Sequence, residues 1–119
     1  MNKVLVTSII ISLLAAFQVY LGLNMQDFGV GGLHLHITIA IILLGLAHIP
    51  FIRGEGLVRK VFMGLILLIT LQGLIGLYLA FIQSVRMLVV VHHIIGWIVL
   101  FTSIAGTGLS LRGFSTGFR

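Results

Sequence analysis

The chain has 119 residues, of which 60% are hydrophobic and only 8% charged, and its mean hydropathy is +1.28. So short a chain has no core large enough to hide that much apolar surface from water, which excludes an ordinary soluble domain. The net charge of +5 is dispersed rather than gathered in a patch, so no nucleic-acid role is expected, and the lack of cysteine excludes disulfides, iron–sulfur clusters and thioether-linked cofactors.

The first apolar stretch, residues 4–23, follows a lone Lys3. It is longer than the core of a usual secretory signal, and Gly22, Leu23 and Asn24 offer no small-residue cleavage pattern, so it reads as a retained helix. Further apolar stretches cover 33–52, 57–82 and 88–111. All four meet the roughly 20 residues that a helix needs to cross hydrocarbon. Short connections make neighbouring helices antiparallel, so the expected fold is all-α: one transmembrane domain over 1–119, a four-helix bundle integral to the lipid bilayer.

Asp27 and Glu55, the only acids, fall in loops. A proton-coupled transporter built around a membrane carboxylate is therefore not expected. Lys3, Arg53, Arg59, Lys60, Arg112 and Arg119 fall on one side of a four-span chain, against Arg86 alone on the other. That asymmetry predicts both termini on the cytoplasmic side of the cell membrane, with added attraction to anionic lipid.

The chain repeats itself. Gln18-Val19-Tyr20-Leu21-Gly22 in the first span is echoed by Gln72-Gly73-Leu74-Ile75-Gly76 in the third, and each is followed by a histidine on the next span, His36 and His92. A duplicated helical hairpin fits this spacing, and a pseudo-twofold axis would set the two histidines opposite each other.

Histidine is costly in hydrocarbon unless it has a task. His36 lies about three residues inside the second span and His92 about four inside the fourth, which puts both roughly 5 Å below the outer helix ends at 1.5 Å per residue. Two histidines at matched depth point to a shared metal centre, most economically one haem between two imidazoles. The residues one turn deeper on the same faces are Ala40 and Gly96. Their small side chains leave room for a flat macrocycle, and tight helix packing accounts for them equally well.

The competing histidines read differently. Trp97 lies one turn below His93 and would crowd a macrocycle on that face, so His93 reads as a helix-facing imidazole bonded to a backbone carbonyl. His34 points about 160° away from His36 and reads as an interfacial residue. His48, with Met63 as a conceivable partner ligand, raises a second haem site roughly 18 Å deeper. Beside Pro50 and Arg53, however, His48 reads as a helix-end residue, and one haem per chain is the expectation.

The runs Leu35-His36-Ile37-Thr38-Ile39-Ala40, Leu71-Gln72-Gly73-Leu74-Ile75-Gly76-Leu77 and Val91-His92-His93-Ile94-Ile95-Gly96 resemble the second, third and fourth helices of one half of the haem A synthase family. The resemblance spans nearly the whole chain, about half of a full-length member. It implies a four-helix unit with a histidine pair at its outer end. In the family's catalytic half a glutamate stands three residues before the first histidine and an arginine follows it; here those positions hold Leu33 and Ile37, and the family's outer-loop cysteine pair is missing. The chain is thus more similar to the half that holds a b-type haem than to the half that oxidises a haem substituent.

The leading expectation is a membrane cytochrome b with His36 and His92 as iron ligands, transferring electrons within or beside a larger respiratory complex or as a homo-oligomer. No residue is assigned a catalytic role. Arg86, six residues before His92, is either a propionate partner or a plain interfacial arginine; Gln26, Asp27, Gln83 and Ser84 are further candidates for the outer rim. Two alternatives stay open: a half-size haem A synthase-like oxidase, and a cofactor-free small subunit of a respiratory complex.

Overall fold

The computed structural model describes residues 2–117, so Arg119 lies outside the described residues. Four helices run in order: α1 (Lys3–Leu23), α2 (Met25–Arg53), α3 (Gly56–Phe81) and α4 (Arg86–Gly117). Each is long and apolar enough to cross a membrane, and there is no strand among the described residues. The long axis of 53 Å exceeds the roughly 40–45 Å of a bilayer with its headgroups.

The helix ends follow from local chemistry. Asn2 caps α1, its Oδ1 accepting from the backbone N–H groups of Val4 at 3.0 Å and Leu5 at 3.3 Å. Helix α2 starts eight residues earlier than its apolar run, at Met25, because a short helical turn precedes a break at Gly29. Gly29 has φ 60° and ψ −148°, a conformation open essentially to glycine alone. Arg59, in the first turn of α3, donates from Nε to the Gly54 carbonyl at 3.1 Å and from Nη2 to that of Ile52 at 3.4 Å. A cation there complements the negative end of the α2 dipole. Helix α4 outruns its apolar core at both ends, reaching Gly117 through an exposed last turn and a half.

The helices form a closed ring in which each packs on two neighbours and the diagonal pairs α1/α3 and α2/α4 have no backbone contact. Ile11, Ala15 and Leu21 of α1 meet Ile39, Leu43 and Ala47 of α2, Phe62, Leu65 and Ile69 of α3, and Ile95 and Val99 of α4 in one core. Close approach of α3 and α4 depends on Gly106, where a Cβ would sit 2.8 Å from the Phe62 ring.

Hydroxyls fasten α1 to α4. Thr107 Oγ1 shares its proton between the carbonyls of Ser8 at 2.9 Å and Ser103 at 3.0 Å, which leaves the Ser12 hydroxyl to donate to it at 2.9 Å. The Ser8 and Ser110 hydroxyls meet at 3.2 Å. In a membrane, where apolar burial would drive little helix association, such contacts would add to van der Waals packing in joining the two helices.

Candidate functional site

Gln18 and Gly22 stand one turn apart on the same face of α1, and both address His36 of α2. Gln18 Nε2 donates to the His36 carbonyl at 2.8 Å, and a Cβ on Gly22 would lie 3.4 Å from His36 Cε1. The same division of labour recurs on α3. Gln72 Nε2 donates to the His92 carbonyl at 3.4 Å, and a Cβ on Gly76 would lie 3.0 Å from His92 Cε1. The repeated Gln-x-x-x-Gly element thus has a physical meaning that its spacing alone did not disclose: the amide pins the neighbouring helix at its histidine and the glycine vacates the space the ring fills.

So held, the two rings project inward from diagonal helices and meet at the centre of the bundle. Their centroids are 6.1 Å apart and their planes are inclined at 63°. The Nδ1 atoms of both His36 and His92 are buried without a hydrogen-bond partner. Leaving a buried polar group unpaired costs about 1–3 kcal/mol, which makes these two nitrogens candidates for a bond to a ligand.

A cavity of about 620 Å³ adjoins the pair, within the roughly 300–1,000 Å³ usual for small-molecule and cofactor sites. Its wall includes His36, Ala40, His92 and Gly96 and contains no charged side chain. Most of the wall belongs to α2 and α3, and Ile41 and Leu74 both line it and are exposed, at 66% and 62%. The cavity therefore opens sideways between those helices, onto the apolar outer surface of the bundle. A smaller pocket of about 20 Å³ lies on the α1/α4 side of the same two histidines.

Ala40 is among the residues that line the large cavity. Gly96 lines it too, but a Cβ there would meet Gln72 Nε2 at 2.8 Å, so its smallness also admits the pinning amide. His93 lines both cavities, with its ring 6.2 Å from that of His92. Trp97 does not screen it from the large cavity: the indole turns outward, 42% exposed, to stack on Phe101 at 6.1 Å.

The remaining candidates stand apart from this cluster. Arg86 opens α4 and is exposed, as are Gln26, Asp27, Gln83 and Ser84, and none of them lines the cavity. His34 is exposed. His48 is exposed as well and its Nδ1 lies 2.7 Å from the carbonyl of Leu44 on its own helix, while Met63 is 48% exposed. Sequence reasoning missed Met25 and Thr70, which line the cavity; Met25 does so from the turn before the Gly29 break, which no apolar period announced.

No protein-family model, no curated protein and no solved structure matches this chain.

Proposed function

We propose that the chain is a membrane b-type cytochrome that binds one haem between His36 and His92 and transfers single electrons. The observation that carries this reading is the pair of facing imidazoles, 6.1 Å apart between centroids, with unpaired buried nitrogens beside an apolar cavity of about 620 Å³. With metal–nitrogen bonds of about 2.0 Å, rings this close could hold one ion between them. His36 and His92 would supply two ligands, so a metal held there would need the rest of its ligands from a bound cofactor rather than from further side chains among the described residues. The uncharged wall suits a planar apolar group such as haem.

A haem held by two histidines supplies a ferric/ferrous couple. The protein's part is to fix both imidazoles through Gln18 and Gln72, to exclude water with Leu33, Ile37 and Leu77, and to tune the couple through burial and the hydrogen bonds of the ring nitrogens. Leu33 and Ile37, which the resemblance sets where the catalytic half of the haem A synthase family carries a glutamate and an arginine, are among the residues that wall the cavity; this favours electron transfer over oxidation of a bound haem.

The bundle is read as two antiparallel hairpins of common origin, supported by the matching amide and glycine contacts at the two histidines. It is further read as lying in the cell membrane with both termini cytoplasmic, beside a larger respiratory complex or as a homo-oligomer. The test of the cofactor is a reduced-minus-oxidised spectrum of the purified protein with a pyridine haemochrome count. One low-spin b-type haem per chain is expected, and a colourless, folded preparation from haem-replete cells would sink the proposal.

A further inference from the structure

Three of the four seams between neighbouring helices are fastened by side chains within the spans. Gln18 of α1 donates to the His36 carbonyl of α2 at 2.8 Å, and Gln72 of α3 donates to the His92 carbonyl of α4 at 3.4 Å. Ser8, Ser12, Thr107 and Ser110 join α1 to α4. The seam between α2 and α3 is built differently. Among the described residues, the side-chain hydrogen bonds that link these two helices are those of Arg59 to the carbonyls of Gly54 at 3.1 Å and Ile52 at 3.4 Å. Both lie at the turn where α2 gives way to α3, at the end of the seam away from His36. Where apolar burial drives little association, hydrogen bonds between helices resist their separation. The α2/α3 seam is thus tied at one end and closed along the rest by apolar contact.

The cavity beside the histidine pair opens through that same seam. Ile41 of α2 and Leu74 and Leu77 of α3 line it and are exposed, at 66%, 62% and 45%. Gly73 lines it next to Leu74, and a Cβ there would meet nothing within 4 Å, so part of the mouth is bare backbone. The end of the bundle offers no comparable polar mouth. Gln26, Asp27, Gln83, Ser84 and Arg86 are exposed there, and none of them lines the cavity, whereas Met25 and Leu33 do.

Resting on the haem-binding reading above, we infer that haem enters and leaves the site from the membrane, through the α2/α3 seam, which parts at the histidine end while Arg59 holds the other. A mouth edged by apolar side chains admits a flat apolar molecule dissolved in the bilayer. It penalises small polar solutes, which would lose their hydration without gaining hydrogen bonds.

The cysteine-free chain allows a single thiol to be placed at the mouth. Apoprotein carrying Leu74→Cys is reconstituted in phosphatidylcholine vesicles with or without prior coupling to pyrenyl maleimide. Haemin is then added to the bilayer, and uptake is read from the growth of the low-spin haem absorbance. Coupling at Leu74→Cys slows uptake by about 10-fold or more, within the range over which association rates respond to local changes. Coupling after loading slows release to apomyoglobin by the same factor, because one route serves both directions. The same coupling at Leu67→Cys, two turns away on the same face of α3, exposed but off the cavity, changes neither rate. Coupling at Ser84→Cys, at the end of the bundle, changes neither rate as well. Slowing at Ser84→Cys but not at Leu74→Cys overturns the inference, as do rates indifferent to every coupling. Faster release from coupled Leu74→Cys also overturns it, since damage to the site, unlike obstruction of its route, speeds release. Should Leu74→Cys fail to fold, Ile41→Cys on the other side of the mouth replaces it and is read in the same way. A colourless wild type removes the haem reading itself, whereas a coloured wild type whose exchange ignores coupling at the mouth removes only the route.

Discussion

His36 and His92 are legible as a site because a polar ring within an apolar span has few reasons to be there, and two at one depth have fewer. In the sequence, the choice of His92 over His93 rests on Trp97 one turn below His93, and that ground fails because the indole turns outward. Neighbours on a helix differ by about 100°, and no stripe of polar residues on α4 fixes the zero of that rotation. The structure supplies it, since the His92 ring is the one that meets His36 and rests over Gly76. His36→Ala and His92→Ala are each expected to abolish haem retention, a larger loss than the roughly 10- to 100-fold typical of removing a supporting group. His93→Ala keeps the haem, although His93 lines the same cavity. Haem content after purification, measured as the pyridine haemochrome, checks this, and the assignment fails if His93 proves essential and His92 dispensable.

At the scale of the helix, the four spans are readable because hydropathy over some 20 residues is a strong signal. Their neighbours are not readable, because helices that are apolar all round lack a stripe pointing to a core. The early start of α2 is hidden for another reason: the turn before Gly29 carries Gln26 and Asp27, which read as loop residues. Glycine positions now separate into those that a neighbour requires and those that none does. A Cβ at Gly76 would lie 3.0 Å from His92 Cε1, whereas one at Gly64 or Gly73 would meet nothing within 4 Å. Gly76→Leu is therefore expected to displace the His92 ring and release haem, while Gly64→Ala is tolerated, and the absorbance of the bound haem in the two purified variants distinguishes them. Gly106 tests packing away from the site. Its substitution by leucine forces the buried Phe62 ring aside, an overpacking that destabilises by about 1–3 kcal/mol. The expected outcome is a lowered Tm in detergent even when haem is saturating.

Across the whole molecule, if the chain transfers electrons as proposed, the unequal spread of charge decides which partners the site could reach. In the proposed orientation Lys3, Arg53, Arg59, Lys60 and Arg112 cluster at the cytoplasmic end, with Arg119 beyond the described residues, and Arg86 stands alone outside. The proposed haem ligands would then lie nearer the outer face, so a water-soluble redox partner on that side would be closer than one in the cytoplasm, and a lipid-soluble partner would have the opening between α2 and α3 as its route. The cysteine-free chain makes the orientation directly measurable, because a single introduced thiol carries no background. Ser84, in the connection between α3 and α4, and Ser115, in the last turn of α4, are both exposed. In intact cells, a membrane-impermeant thiol reagent should label Ser84→Cys and spare Ser115→Cys until the membrane is opened. The opposite pattern would reverse the chain, bring the histidine pair close to the cytoplasmic face, and require its redox partner to be found there.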